Sequence, residues 1–231
     1  MSYKAIIFDL DNTLLNFELC ERQAILGALE ACGISLDLNG VNETIFLQVY
    51  ETYNSKHWRQ RENFSPGELI EMSYGSTLAH LDIQTDQISN LSQSFWHIFN
   101  HSAVMEPNVN EVLTVLARSY RLAVITNGFV SAQVPRMQAA GIKHFFEEVI
   151  VSEAIGFAKP SPEIFNHALY RLDLTSAQVL YVGDSLAHDY VGAMQVKIDF
   201  CYYNRKNQIL PQEAQPKFMI SELLKLLELV N

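Results

Sequence analysis

Four short apolar runs constrain this chain more than anything else in it: residues 3–8, Leu122-Ala123-Val124-Ile125, Val149-Ile150-Val151 and Val179-Leu180-Tyr181-Val182. Each is rich in β-branched and aliphatic residues and too short for a helix, which is how a strand reads when both its faces are buried. Helical patterns lie between them, over 109–117, through Met137 as far as Gly141, and over 163–172. Strands that alternate with helices pair in parallel, because each crossover returns the chain to the same side of the sheet. The expected fold is α/β, with a doubly wound parallel sheet.

The alternation breaks off after the first strand. A helix is expected over 17–31, with Gly33 beyond its end. From about Leu38 to Ser102 there is no convincing strand, only helical spacing such as Phe46, Val49, Tyr50, Tyr53 and later Leu91, Phe95, Ile98, Phe99. Ser65-Pro66-Gly67-Glu68 reads as a helix start with Pro66 in the first helical position. These patterns predict an all-helical cap over 17–102, inserted into an α/β core made of 1–16 and 103–231. Hinges are expected near 15–17 and 102–107. A chain of 231 residues that is 48% hydrophobic can bury such a core without staples.

The net charge of -10 opposes non-specific binding to nucleic acid or to an anionic membrane. A locally positive site could still hold a phosphorylated small molecule. Cys20, Cys32 and Cys201 form no CxxC pair, and the apolar run ending at Asp9 is far too short for a signal peptide or a span. The expected location is the cytoplasm. Nothing in the sequence sets an oligomeric state.

Ligands of open parallel sheets bind at the carboxyl ends of the strands. Here those ends read Asp9-Leu10-Asp11-Asn12-Thr13, Thr126-Asn127-Gly128 and Gly183-Asp184-Ser185, with Asp189 one helical turn further on. Lys159-Pro160 follows the third strand after a short loop. Taken singly, such residues are ordinary: an Asp in a turn, Thr126 as an N-cap, Lys159 in a solvated loop, Asp189 on a helix dipole. Taken together they put several carboxylates on one rim, which needs compensating positive charge. Hard oxygen ligands without a His or Cys set favour Mg²⁺ over Zn²⁺, and Lys159 adds a further charge.

In order, these segments resemble the four motifs of haloacid dehalogenase-like phosphatases: DxDxT at Asp9–Thr13, Thr126-Asn127-Gly128, Lys159-Pro160, and GDxxxxD from Gly183 to Asp189. The resemblance implies a Rossmann-like core and an aspartyl-phosphate formed on Asp9. Asp11 would protonate the leaving oxygen and then activate water, its backbone carbonyl joining the Asp9 and Asp184 carboxylates around Mg²⁺. Thr126 and the backbone N–H of Asn127 would hold phosphoryl oxygens, with Lys159 balancing charge. Asp189 would orient Lys159 or a metal-bound water. Phe17 is the candidate for a substrate-facing aromatic, whereas Tyr50, Tyr53, Trp58, Phe64 and Tyr74 mostly read as packing.

Dehalogenases of this superfamily lack an acid at the second motif position, so Asp11 favours phosphoryl transfer. A phosphomutase shares the Asp pair, and a silent binding module shares the fold. A narrower resemblance, to bacterial pyrimidine 5′-nucleotidases, rests on Leu15-Asn16-Phe17, Gln133, Arg136, Gly141 and Gly156-Phe157-Ala158-Lys159-Pro160. Most of these read as packing and turn positions. Asn12, where that family often has Asp, and a divergent cap are departures. The implied function is 5′-nucleotidase activity on nucleoside monophosphates, with a phosphatase of another small metabolite, such as a sugar phosphate, as runner-up.

Overall fold

The structure is a computed structural model that describes residues 3–36 and 40–230. Leu38, at the start of the strand-free stretch, lies outside the described residues. The chain divides into two compact units, Met1–Phe17 with Ala103–Asn231, and Glu18–Ser102.

The second unit is helical: α1 (Phe17–Ala31, its first residue counted with the other unit), α2 (Glu43–Trp58), α3 (Pro66–His80) and α4 (Ile88–His101). At the start of α3 the Ser65 hydroxyl accepts from the Glu68 N–H while the Glu68 carboxylate takes the Ser65 N–H. This reciprocal cap, with Pro66 next, satisfies donors that the first turn leaves open. Tyr50 and Tyr74 are buried edge to face at 5.1 Å, and the Tyr74 hydroxyl donates to the Ile25 carbonyl at 2.9 Å. Both are core residues of this unit.

The first unit holds six strands: β1 (Ala5–Phe8), β2 (Arg121–Thr126), β3 (Glu148–Val151), β4 (Val179–Gly183), β5 (Asp199–Tyr203) and β6 (Phe218–Ile220). They form one parallel sheet in the order β3-β2-β1-β4-β5-β6. The first four are the apolar runs of the sequence. The last two lack a β-branched or aliphatic run of that kind: β5 reads Asp199-Phe200-Cys201-Tyr202-Tyr203 and β6 has three residues.

Side chains alternate between the faces. Ile6, Phe8, Leu122, Val124, Leu180 and Val182 pack to one side, under α5 (Val109–Leu116), α6 (Val130–Ala139) and, beyond the short α7 (Ser152–Ile155), the C-terminal α10. Ala5, Ile7, Ala123, Ile125, Val179 and Tyr181 pack to the other, under α8 (Pro162–Leu172) and α9 (Val191–Gln195); α10 spans Lys225–Val230. Phe8 lies in register with both Val124 and Val182. Strand order reverses at β1, so the carboxyl ends of β1, β2 and β4 open together at a topological switch point.

Candidate active site

Asp9 follows β1 directly, its N–H bonded to the Val182 carbonyl at 2.9 Å. The chain then turns tightly, with Leu14 N–H on the Leu10 carbonyl at 2.9 Å and Asn12 at φ 61°. Asn is among the few side chains that adopt this left-handed conformation readily, so the departure at position 12 suits the turn.

Lys159 stands at the centre of the rim. Its Nζ lies 2.5 Å from Asp9 Oδ1, 2.7 Å from Asp189 Oδ1 and 3.1 Å from the Tyr181 hydroxyl. The Asn127 side chain grips the Lys159 backbone from both sides, accepting its N–H at 2.8 Å and donating to its carbonyl at 3.0 Å. Asp189 Oδ2 accepts the Ser185 N–H at 3.0 Å, so both Asp189 oxygens are engaged. The other Asp9 oxygen receives, among the described residues, the Thr13 hydroxyl at 3.3 Å.

Asp11 faces a different set of partners. Its Oδ1 takes a hydrogen bond from Arg136 Nη1 and its Oδ2 one from Gln133 Nε2, both at 2.7 Å. Gln133 Nε2 also lies 2.8 Å from the hydroxyl of Thr126, which is buried and does not cap α6. Phe17 lies with its ring centroid 5.9 Å from the Arg136 guanidinium carbon. Asp184 has no side-chain hydrogen bond among the described residues. Carboxylate oxygens of Asp9, Asp184 and Asp189 nevertheless lie within 4.8 Å of one another.

Residues 6–203 match the family model of haloacid dehalogenase-like hydrolases. The chain belongs to that family. It is an enzyme of the hydrolase class, and its full-length likenesses include the following. The HAD-hydrolase YfnB of Bacillus subtilis is 27% identical over 99% of this chain and 96% of its own. Its magnesium-bound structure superposes with a TM-score of 0.83 over 100% of both chains, at 25% identity. The pyrimidine 5′-nucleotidase YjjG of Escherichia coli is 24% identical over 100% of this chain and 99% of its own. For the pyrimidine 5′-nucleotidase PynA of Streptococcus pneumoniae the figures are 26%, 100% and 96%.

The electrostatics of this hydrolase site are those of an acidic cluster short of positive charge. Burial pushes the Asp9 carboxyl well above the ordinary carboxylate range; Lys159 opposes the shift, and Asp189 and Asp184 add to it. Burial also pushes Asp184 up, to about 7, with Asp189 adding to it and Arg205 and Lys159 pulling the other way. Burial disfavours the Lys159 ammonium, but Asp189 and Asp9 outweigh it and hold its pKa above the usual lysine range. An unbonded carboxylate beside two others, all hard oxygen donors, is a donor set that fits a divalent cation. Asp184, with no side-chain hydrogen bond among the described residues, and Asp9, whose Oδ2 has a contact at 3.3 Å, are less engaged than Asp189, whose oxygens accept at 2.7 and 3.0 Å.

Gly183 is set by close approach. A β-carbon there would stand 2.4 Å from Asp189 Oδ2. Gly183→Ala is expected to lower stability in urea denaturation by about 1–3 kcal/mol through overpacking. A wild-type midpoint would show that Asp189 moves aside freely.

Several site residues escape a reading of the sequence. Tyr181 looks like strand packing, yet its hydroxyl donates to Asp189 Oδ1 at 3.1 Å and lies 3.4 Å from the Ile125 carbonyl. Arg205 and Glu106 pair at 3.5 Å outside every motif. Gln133 and Arg136, read as packing and turn positions, are hydrogen-bonded to Asp11 instead. A trace of this was visible: two polar residues three apart on the helical stripe of Ala132 and Met137, where apolar side chains are the rule.

Proposed function

We propose that this enzyme is a Mg²⁺-dependent phosphomonoesterase that works through an aspartyl-phosphate, with nucleoside 5′-monophosphates, pyrimidine ones foremost, as substrates. One observation carries the reading: Asp9 sits at the switch point with one oxygen pinned by Lys159 and the other held only at 3.3 Å by Thr13. A carboxylate so placed has a fixed direction of attack, and forming a covalent intermediate splits hydrolysis into two easier displacements.

In the first displacement Asp9 Oδ2 bonds to phosphorus as the bond to the leaving oxygen breaks, and Asp11 supplies that oxygen with a proton. In the second, water attacks the same phosphorus and gives its proton to Asp11. Phosphate leaves and the Asp9 carboxylate returns. Lys159 neutralises charge on Asp9, oriented by Asp189 and Tyr181, while Asn127 keeps its backbone in place. Thr126 and backbone N–H groups of its loop hold phosphoryl oxygens. Asp9, Asp184 and the Asp11 carbonyl would hold Mg²⁺, which would supply neutralising charge and polarise a phosphoryl oxygen. The helical unit over 17–102 serves as the cap, with Phe17 at its root as a substrate contact. Cys20, Cys32 and Cys201 are in no disulfide, which suits a reducing, cytoplasmic setting.

The nucleotide assignment draws support from YjjG and PynA, whose likeness spans the whole chain, helical unit included. The test is a screen of phosphorylated metabolites with Mg²⁺ and with EDTA. Pyrimidine nucleoside 5′-monophosphates are expected to rank first, with turnover lost in EDTA and regained on adding Mg²⁺. A sugar phosphate at the head of the ranking would overturn the nucleotide assignment and leave the hydrolysis. Undiminished turnover in EDTA would overturn the metal.

A further inference from the structure

Gln133 and Arg136 are 3% and 0% exposed, and both lie on the face of α6 that is turned to the sheet. Residues three apart on a helix are neighbours, and here their bonds link the two side chains to each other, to Asp11 and to Thr126. Arg136 Nη1 donates to Asp11 Oδ1 and also to Gln133 Oε1, each at 2.7 Å. The second bond fixes which way the Gln133 amide faces, so its Nε2 is the atom presented to Asp11 Oδ2 and the Thr126 hydroxyl. Gly128, at φ +154°, leaves room for this: a β-carbon there would stand 3.0 Å from Gln133 Nε2.

Both oxygens of one carboxyl group are therefore held by side chains that are themselves immobilised. Burying a guanidinium is strongly unfavourable without a charged partner, and this one pairs with Asp11, 125 residues away in sequence. A group that merely anchored the loop after β1 could have bonded its backbone. These donors end on the side chain to which proton transfer is assigned.

We infer that Gln133 and Arg136 are positioning residues that set the orientation of the Asp11 carboxyl group for proton transfer. The inference rests on the reading of Asp11 as the acid and base of the reaction. A carboxyl group keeps acceptor lone pairs after taking a proton, so the two donors can orient it in both displacements. The consequence is specific to the leaving group. A basic leaving oxygen needs the Asp11 proton as its bond to phosphorus breaks, whereas a weakly basic one departs without it.

The test compares kcat/KM for phenyl phosphate and 2,4-dinitrophenyl phosphate, with Mg²⁺, in the wild type and in Gln133→Leu, Arg136→Met and Asp11→Asn. This parameter reports steps up to departure of the leaving group, and the ratio of two substrates on one preparation cancels any loss of folded enzyme. Each of the first two variants is expected to lose about tenfold or more on phenyl phosphate beyond its loss on the dinitrophenyl ester. Adding Gln133→Leu to Asp11→Asn should bring no further selective loss. Equal losses on both substrates in either variant, with Asp11→Asn still selective, would remove that residue from the clamp. Equal losses in Asp11→Asn itself would remove the acid role on which the clamp depends.

Discussion

Asp9→Asn is expected to abolish turnover and leave the fold as firm as before, or firmer. The nucleophile is one atom, and no neighbour is placed to replace it: Asp189 is bonded to Lys159 and Ser185, Asp11 is turned towards Gln133 and Arg136, and Asp184 is the carboxylate assigned to the cation. Loss of a nucleophile that acts with its partners as a unit lowers kcat by a factor on the order of 10⁴ to 10⁶. Stability should move the other way. Asp9 lies buried near Asp189 and Asp184, and burial already pushes its carboxyl towards the neutral form. An amide of the same shape removes that repulsion, and its oxygen can still accept from Lys159. Thermal unfolding without metal at pH 8 should show an unchanged or raised midpoint, and the rise produced by Mg²⁺ in the wild type should be much reduced. A variant that kept a substantial share of wild-type kcat would take Asp9 out of the nucleophile's place.

Lys159→Met should do the opposite and damage the fold itself. The methionine fills a similar volume but leaves Asp9 and Asp189, 6% and 0% exposed, facing each other with no cation between them. Removing one partner of a buried ion pair costs about 3–5 kcal/mol, because the charge left behind is uncompensated. The pH dependence has a definite sign. A carboxyl whose folded pKa is raised contributes stability at low pH that is lost as pH climbs; for Asp184 the window runs from 3.8 to about 7. Asp9 shifts in the same direction. Lys159, raised above 10.5, contributes fully throughout that range and loses its contribution only in strong alkali. The deficit of Lys159→Met should therefore be largest near pH 8 and shrink towards pH 5, as read from urea midpoints. A deficit that grew on acidification would contradict the buried-pair account. Hydrolysis should fall steeply in the same variant, since the charge that steadies Asp9 and the incoming phosphate is gone.

The first four strands were legible because their runs are rich in β-branched and aliphatic residues, which suit a pleated, buried surface. β5 and β6 were not, since the buried part of β5 is Phe200-Cys201-Tyr202-Tyr203 and β6 has three residues. The helical start at Ser65-Pro66 was legible too, because capping is chemistry between residues three apart. Asp9, Asp11, Thr126, Lys159 and Asp184 could be nominated together for a topological reason: parallel strands deliver their carboxyl ends to one rim whatever lies between them. Tyr181 could not, because a strand tyrosine that bonds a lysine 22 residues away looks like one that only packs.

Periodicity and strand-end chemistry are local properties, so the order of amino acids alone dictated an α/β core, a helical insertion and the acidic rim. Which oxygen of Asp9 meets Lys159, that Asp189 shares the same ammonium, and that Asp11 turns to Gln133 and Arg136 are not local. Such pairings join residues between 30 and 150 positions apart, and only the packing of α6 and of the Lys159 loop against the sheet brings them within bonding distance.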